Sequence, residues 1–125
     1  MSTSTDHNRL KLLIVEDEFM IATQVARYFV ERGAEVVGFA PTASKAHQII
    51  QGGPPFDAAI LDIRLRDVEA FEVADLVRRA GACLIFYTAM DPAKLPERFR
   101  NAAVVSKPES MDKLYSRVMR ALEEG

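Results

Sequence analysis

The sequence has one cysteine, two histidines, no apolar run long enough to cross a bilayer and no block of basic residues. Each shortage removes a class of function. Cys83 cannot form an internal disulfide, and it sits within the apolar run ACLIFY with no ligand partner at metal-binding spacing. It is therefore expected to be a buried small hydrophobe in a cytoplasmic protein. His7 and His47 are not spaced as a metal-ligating pair, and His47 is expected at the surface or boundary of a helix. A membrane span needs about 20 consecutive apolar residues, and nothing of that length is present, so no membrane association is expected. The start, MSTSTDHNR, is polar and lacks the apolar centre of a signal peptide, so residues 1–9 are expected to form a frayed tail. With 18 acids against 16 bases the net charge is only −2, which gives no electrostatic case for nucleic acid. No glycine-rich loop follows a strand; Gly52 and Gly53 follow a helical segment, so a nucleotide cradle is not expected.

What remains is a chain of 125 residues, 49 % apolar, enough for one domain with a real core and too short for two ordinary ones. Its hydrophobic rhythm alternates. LKLLIV, from Leu10, reads as a strand, and FMIATQVARYFVERG as a helix with Ile21, Val25 and Tyr28/Phe29 at helical spacing and Gly33 as its stop. AEVVGFA is a second strand. TASKAHQIIQGG is a helix capped by Thr42, with Ala46 and Ile49/Ile50 on one face. DAAILD follows as a third strand. A helix from about Glu69 to Ala80 carries Phe71, Ala74 and Val77 and ends at Gly81. CLIFYT is the fourth strand and AAVVSK the fifth. Between those two, Pro96 interrupts any regular helix in DPAKLPERFRN. The final helix, about Met111 to Glu123, presents Met111, Leu114, Val118 and Leu122. Residues 10–125 are thus expected to form one α/β domain, a parallel sheet covered by helices on both faces, with strands buried on both sides.

In such sheets function gathers beyond the carboxyl ends of the strands. The residues placed there are Glu16, Asp17 and Glu18 after the first strand, Asp62 after the third, Thr88 after the fourth and Lys107 after the fifth. Carboxylates pressed together repel one another and resist desolvation. A divalent cation offsets that cost, and an all-oxygen site suits Mg²⁺ or Mn²⁺ rather than zinc. A lysine and a hydroxyl added to the set make it complementary to a phosphoryl group, with one carboxylate free to attack phosphorus. Asp62 is the best nucleophile, because it stands alone at its strand end whereas Glu16 and Asp17 are adjacent and better arranged to share a cation. Singly, each of these residues has an ordinary structural explanation, such as a turn aspartate or a surface lysine. Their coincidence at the ends of four strands is what points to a site.

The segments LIVEDE (Leu13 to Glu18), AILDIRL (Ala59 to Leu65), FYTA (Phe86 to Ala89) and VSKP (Val105 to Pro108), in that order and at these separations, resemble the response-regulator receiver domain of bacterial two-component signalling. The likeness runs from Leu10 to Leu122, and the chain looks similar to stand-alone receivers of alphaproteobacteria. It implies a flavodoxin-like doubly wound sheet of five parallel strands in the order 2-1-3-4-5. It also implies Mg²⁺ (or Mn²⁺) held by Glu16, Asp17, Asp62 and the backbone carbonyl of Arg64. Asp62 would be the phosphoacceptor, Thr88 the hydroxyl that contacts the phosphoryl group, and Lys107 the invariant lysine. Three departures from the family pattern stand out. Val104 occupies the position of the usual aromatic switch residue, with Tyr87 available for a related role. Arg64 is bulky and charged beside the pocket, and with Met90 it joins Tyr87 and Val104 as a candidate modulator. Pro96 shortens or disrupts the fourth helix, in a region that commonly contributes to output.

The function implied is a signalling switch, promoting its own aspartyl phosphorylation rather than turning over a separate substrate. The phosphoryl group would come from a histidine kinase or a histidine phosphotransfer protein. After the last helix only EEG remains, so if these residues are the whole protein, output is expected through contact with a downstream protein, with a weak homodimer as a further expectation. Two rivals are a receiver-like adaptor that docks without being phosphorylated and a small aspartate-based phosphohydrolase. The latter usually carries a second aspartate two residues after the nucleophile, where this chain has Arg64.

Overall fold

The computed structural model describes residues 9–66 and 68–124. In chain order the elements are β1 (Lys11–Val15), α1 (Phe19–Glu31), β2 (Glu35–Ala40), α2 (Ala43–Gly52), β3 (Ala58–Leu61), α3 (Phe71–Arg79), β4 (Cys83–Thr88), two short 3₁₀ turns (Pro92–Lys94 and Glu97–Phe99), β5 (Ala103–Ser106) and α4 (Met111–Glu124). The five strands form one sheet in the order β2-β1-β3-β4-β5, and every pairing is parallel. The expected sheet and strand order are therefore observed. The expected tail lies outside the described residues but for Arg9.

Strand alternation divides the core in two. Leu12, Ile14, Ile60, Ile85 and Tyr87 face α1 and α4, where they meet Val25, Phe29, Leu114 and Val118. Leu13, Val15, Leu61 and Phe86 face the other way, onto Ala46, Val73, Ala74 and Val77 of α2 and α3. Successive side chains on a strand point to opposite faces, so a strand between two helical layers must be apolar at every position. That holds for the inner strands: all of β3 is buried, as is β4 beyond its first residue. It does not hold at the sheet edges, where β2 and β5 are only partly covered. Cys83 is likewise half-buried rather than buried, because it opens β4 at the rim of the layer. His47 is exposed, as expected.

The helix ends follow local chemistry. The Thr42 hydroxyl accepts the Lys45 N–H at 3.1 Å and starts α2. Gly33 (φ 96°) and Gly81 (φ 80°) take the left-handed conformation that ends α1 and α3. The third helix begins at Phe71, two residues later than the apolar spacing suggests, because Glu69 is drawn into an antiparallel bridge with Arg64. Between β4 and β5 there is no α-helix. The Asp91 carboxylate accepts the Ala93 N–H at 3.0 Å to open the first 3₁₀ turn, and Leu95, which precedes Pro96, is extended (ψ 143°). The proline ring disfavours helical backbone in the residue before it, so the segment restarts as a second short turn. Among the described residues no helix is long and apolar enough to cross a membrane.

Candidate functional site

Strand register brings the candidate residues together. Val15 of β1 lies beside Leu61 of β3, so the next residues, Glu16 and Asp62, leave the sheet side by side. The Asp62 N–H donates to the Val15 carbonyl at 2.9 Å, carrying the ladder one step beyond the strand. On the other side Thr88 pairs with Ser106, and the Lys107 N–H donates to the Thr88 carbonyl at 2.9 Å. Residues far apart in the chain therefore reach one corner of the sheet, because parallel strands in register end at the same level.

At that corner the Lys107 ammonium lies 2.8 Å from Glu16 Oε1, 2.9 Å from Asp62 Oδ2 and 3.6 Å from Glu18 Oε1. Glu16, Asp62 and Thr88 are the buried polar residues of the described chain. Buried charges are tolerated when they are paired and hydrogen-bonded, and here the ammonium serves two carboxylates at once. Glu16 Oε2 also accepts the Glu18 N–H at 3.1 Å, and Asp62 Oδ1 the Arg64 N–H at 3.3 Å. Burial pushes the Glu16 carboxyl above its ordinary range; its hydrogen bond to Lys107 opposes this, while the charge of Asp62 adds to it. For Lys107 burial works against the charged form, but the hydrogen bonds and charges of Glu16 and Asp62 outweigh it. The lysine is therefore held more firmly protonated than in water.

One carboxylate oxygen each from Glu16, Asp17 and Asp62 lies within 4.8 Å of the others. Three hard oxygen donors so close match the preference of Mg²⁺ or Mn²⁺ for oxygen ligands. The donor set thus fits a divalent cation. In the bridge to Glu69 the hydrogen bonds run from Leu65 N–H to the Val68 carbonyl and from Ala70 N–H to the Ile63 carbonyl, leaving the Arg64 carbonyl out of the ladder. Asp17, Asp62, Arg64, Thr88 and Lys107 line one cleft of about 390 Å³.

Comparison with known families decides what this site belongs to: residues 12–119 match the response regulator receiver domain. The chain belongs to the receiver family. The receiver is 36% identical over 87 residues to the sensory transduction protein LytT of Bacillus cereus, which covers 66% of this chain and 34% of LytT. It thus spans about a third of that relative. The solution structure of SdrG from Sphingomonas melonis is 30% identical, with a TM-score of 0.77 over 92% of this chain and 97% of SdrG. The receiver domain of PhyR from Erythrobacter litoralis, at 24% identity, shares the fold, with a TM-score of 0.81 over 92% of this chain and 91% of that one.

The four residues singled out as modulators do not gather at one place. Arg64 is exposed on the rim of the cleft. Met90 is buried, and its N–H donates to the Thr88 hydroxyl at 3.3 Å. Tyr87 points to the opposite face of β4 from the neighbouring Phe86 and donates its hydroxyl to the Glu109 carbonyl at 3.0 Å. Val104 is half-buried, packs against the α2–α3 side of the core and lies outside the cleft lining. Two relations escaped sequence reading. One is the third carboxylate on Lys107, Glu18, which stood in the EDE run without a distinct role. The other is the tether from Tyr87 to the loop after Lys107, which no spacing rule reveals.

Proposed function

We propose that this receiver accepts a phosphoryl group onto Asp62 from the phosphohistidine of a histidine kinase or histidine phosphotransfer protein, and signals through contact with a downstream protein. The observation that carries the reading is the approach of Lys107 Nζ to 2.9 Å from Asp62 Oδ2 within the three-carboxylate cluster. In the step, an Asp62 carboxylate oxygen forms the bond to phosphorus while the P–N bond to the donor imidazole breaks, its electron pair returning to that nitrogen. Water later hydrolyses the acyl phosphate.

Each residue has a share in this. Glu16, Asp17, Asp62 and the Arg64 carbonyl would hold Mg²⁺ or Mn²⁺, which when bound neutralises charge on the phosphoryl oxygens. Lys107 orients Asp62 and supplies a fixed positive charge for the arriving oxygens. The Thr88 hydroxyl, buried at the cleft, accepts from Met90 and has its own proton to donate. The modification adds roughly −1.5 to −2 charge. Movement of Thr88 toward that charge would pull on the segment holding Met90, and so on the 3₁₀ crossover that follows. Exposure of Arg64, where burial in the cleft would block it, supports this reading over an adaptor that takes no phosphate.

The test is the intact mass of the protein after incubation with phosphoramidate and Mg²⁺, beside Asp62→Asn. One metal-dependent phosphoryl adduct, absent from the variant, is expected. Equal labelling of the variant would refute Asp62 as the acceptor.

A further inference from the structure

Glu18 occupies the position that starts α1, yet its side chain caps nothing in that helix. Short polar side chains are favoured there because they bond the free N–H groups of the first turn, as Thr42 does for α2. The Glu18 side chain instead lies at the mouth of the cleft, 64% exposed, at 3.6 Å from Lys107. That distance exceeds the 2.8 and 2.9 Å to Glu16 and Asp62, which already hold the ammonium. Glu18 therefore adds charge to the cleft without being needed to position the lysine.

The sign of that charge matters. Four carboxylates, of Glu16, Asp17, Glu18 and Asp62, face the cations of Lys107 and Arg64 around this cleft. A phosphodonor is an anion, and Glu18 is the outermost of the four acids, so it meets the donor first. We infer that Glu18 is a specificity-determining residue, a charge gate that holds off small anionic phosphodonors and favours a protein donor that brings a cation to the cleft mouth. The inference rests on the phosphoacceptor reading of Asp62 and adds to it the class of donor selected. Repulsion scales with donor charge and is screened by salt, which separates it from a structural effect.

The experiment compares the protein with Glu18→Gln, which keeps shape and removes charge. At low salt and neutral pH, labelling by acetyl phosphate, a dianion, is expected to rise about tenfold, and by phosphoramidate, a monoanion, about threefold, since the exponent follows the donor charge. In the first case acetate leaves with the electron pair of the P–O bond; in the second ammonia leaves, taking up a proton. Both gains should shrink toward unity near 1 M salt, where the screening length is about 3 Å. Titration of the metal-free proteins with inorganic phosphate, followed by NMR at Lys107 and Thr88, should show several-fold tighter binding by the variant. Equal gains with both donors, a salt-independent gain, no gain or a loss would each overturn the gate. Tighter phosphate binding with no adduct on either protein would leave the gate standing and overturn the phosphoacceptor reading instead.

Discussion

The corner around Lys107 and the crossover between β4 and β5 lie next to each other yet are held by opposite means. The corner is built from buried charge: one ammonium bridges Glu16 and Asp62. The crossover is built from a ring. Phe99 is fully buried, stacks on Phe71 at 5.9 Å and meets Phe86 edge-on at 5.5 Å, with the guanidinium groups of Arg78 and Arg98 each 4.7 Å from its centroid. Carboxylates crowded away from water gain little stability and are kept for what they bind; a buried aromatic ring mainly contributes stability. The contrast teaches where substitutions should alter chemistry and where they should alter folding.

The sharpest break of the contrast is at the acceptor. Asp62→Asn is expected to abolish phosphoryl uptake, by more than about a hundredfold, while the melting temperature moves by only a few degrees; mass spectrometry and calorimetry on one preparation read both. Phe99→Ala should do the reverse, costing about 3–5 kcal/mol of stability in urea unfolding. At temperatures where the variant remains folded, its Mg²⁺ affinity should stay within about twofold of the parent. A marked loss of metal affinity there would mean that the two regions are not separable.

A smaller effect is expected at Asp17. Asp17→Asn should weaken Mg²⁺ binding about tenfold, by loss of one hard anionic ligand, with almost no change in stability because this side chain is only half-buried. Calorimetric titration giving an unchanged affinity would remove Asp17 from the ligand set.

The smallest effect concerns the rim of the crossover, where the Arg98 guanidinium binds both Asp75 oxygens at 3.0 Å. The hydrogen bond from Arg98 holds the Asp75 carboxyl below its ordinary 3.8, against a smaller effect of burial. A carboxylate with a depressed folded-state pKa contributes stability above its unfolded value and loses it as pH falls through the folded one. The parent should therefore be slightly more stable than Asp75→Asn at neutral pH, and the gap should close below about pH 3.8. A gap that persisted at pH 2 would show that the contact works through packing rather than charge. Because Arg98 is half-exposed, the gap itself should be small.

Reading the sequence recovered the inner strands closely because an inner strand must be apolar on both faces, and CLIFYT leaves no other element to choose. The edge strands were harder. Their half-covered faces relax the pattern, so AEVVGFA and AAVVSK reveal a strand without revealing that it lies at an edge. The start of α3 was misjudged because a bridge to Arg64, five residues earlier, claims Glu69, and periodicity does not register such a bond. The crossover was visible as an interruption through Pro96, but not as two turns clasped around Phe99, since that ring finds its partners on α3 and β4.

Sequence alone settled the alternation of elements, the family pattern and which acids end which strands, because these depend on side-chain type and local spacing. Tertiary structure decided which of those acids share a cation. Glu16, Glu18 and Asp62 meet Lys107 only because parallel strands in register end at one level, and contacts across 45 residues of chain are set by packing, not by neighbours.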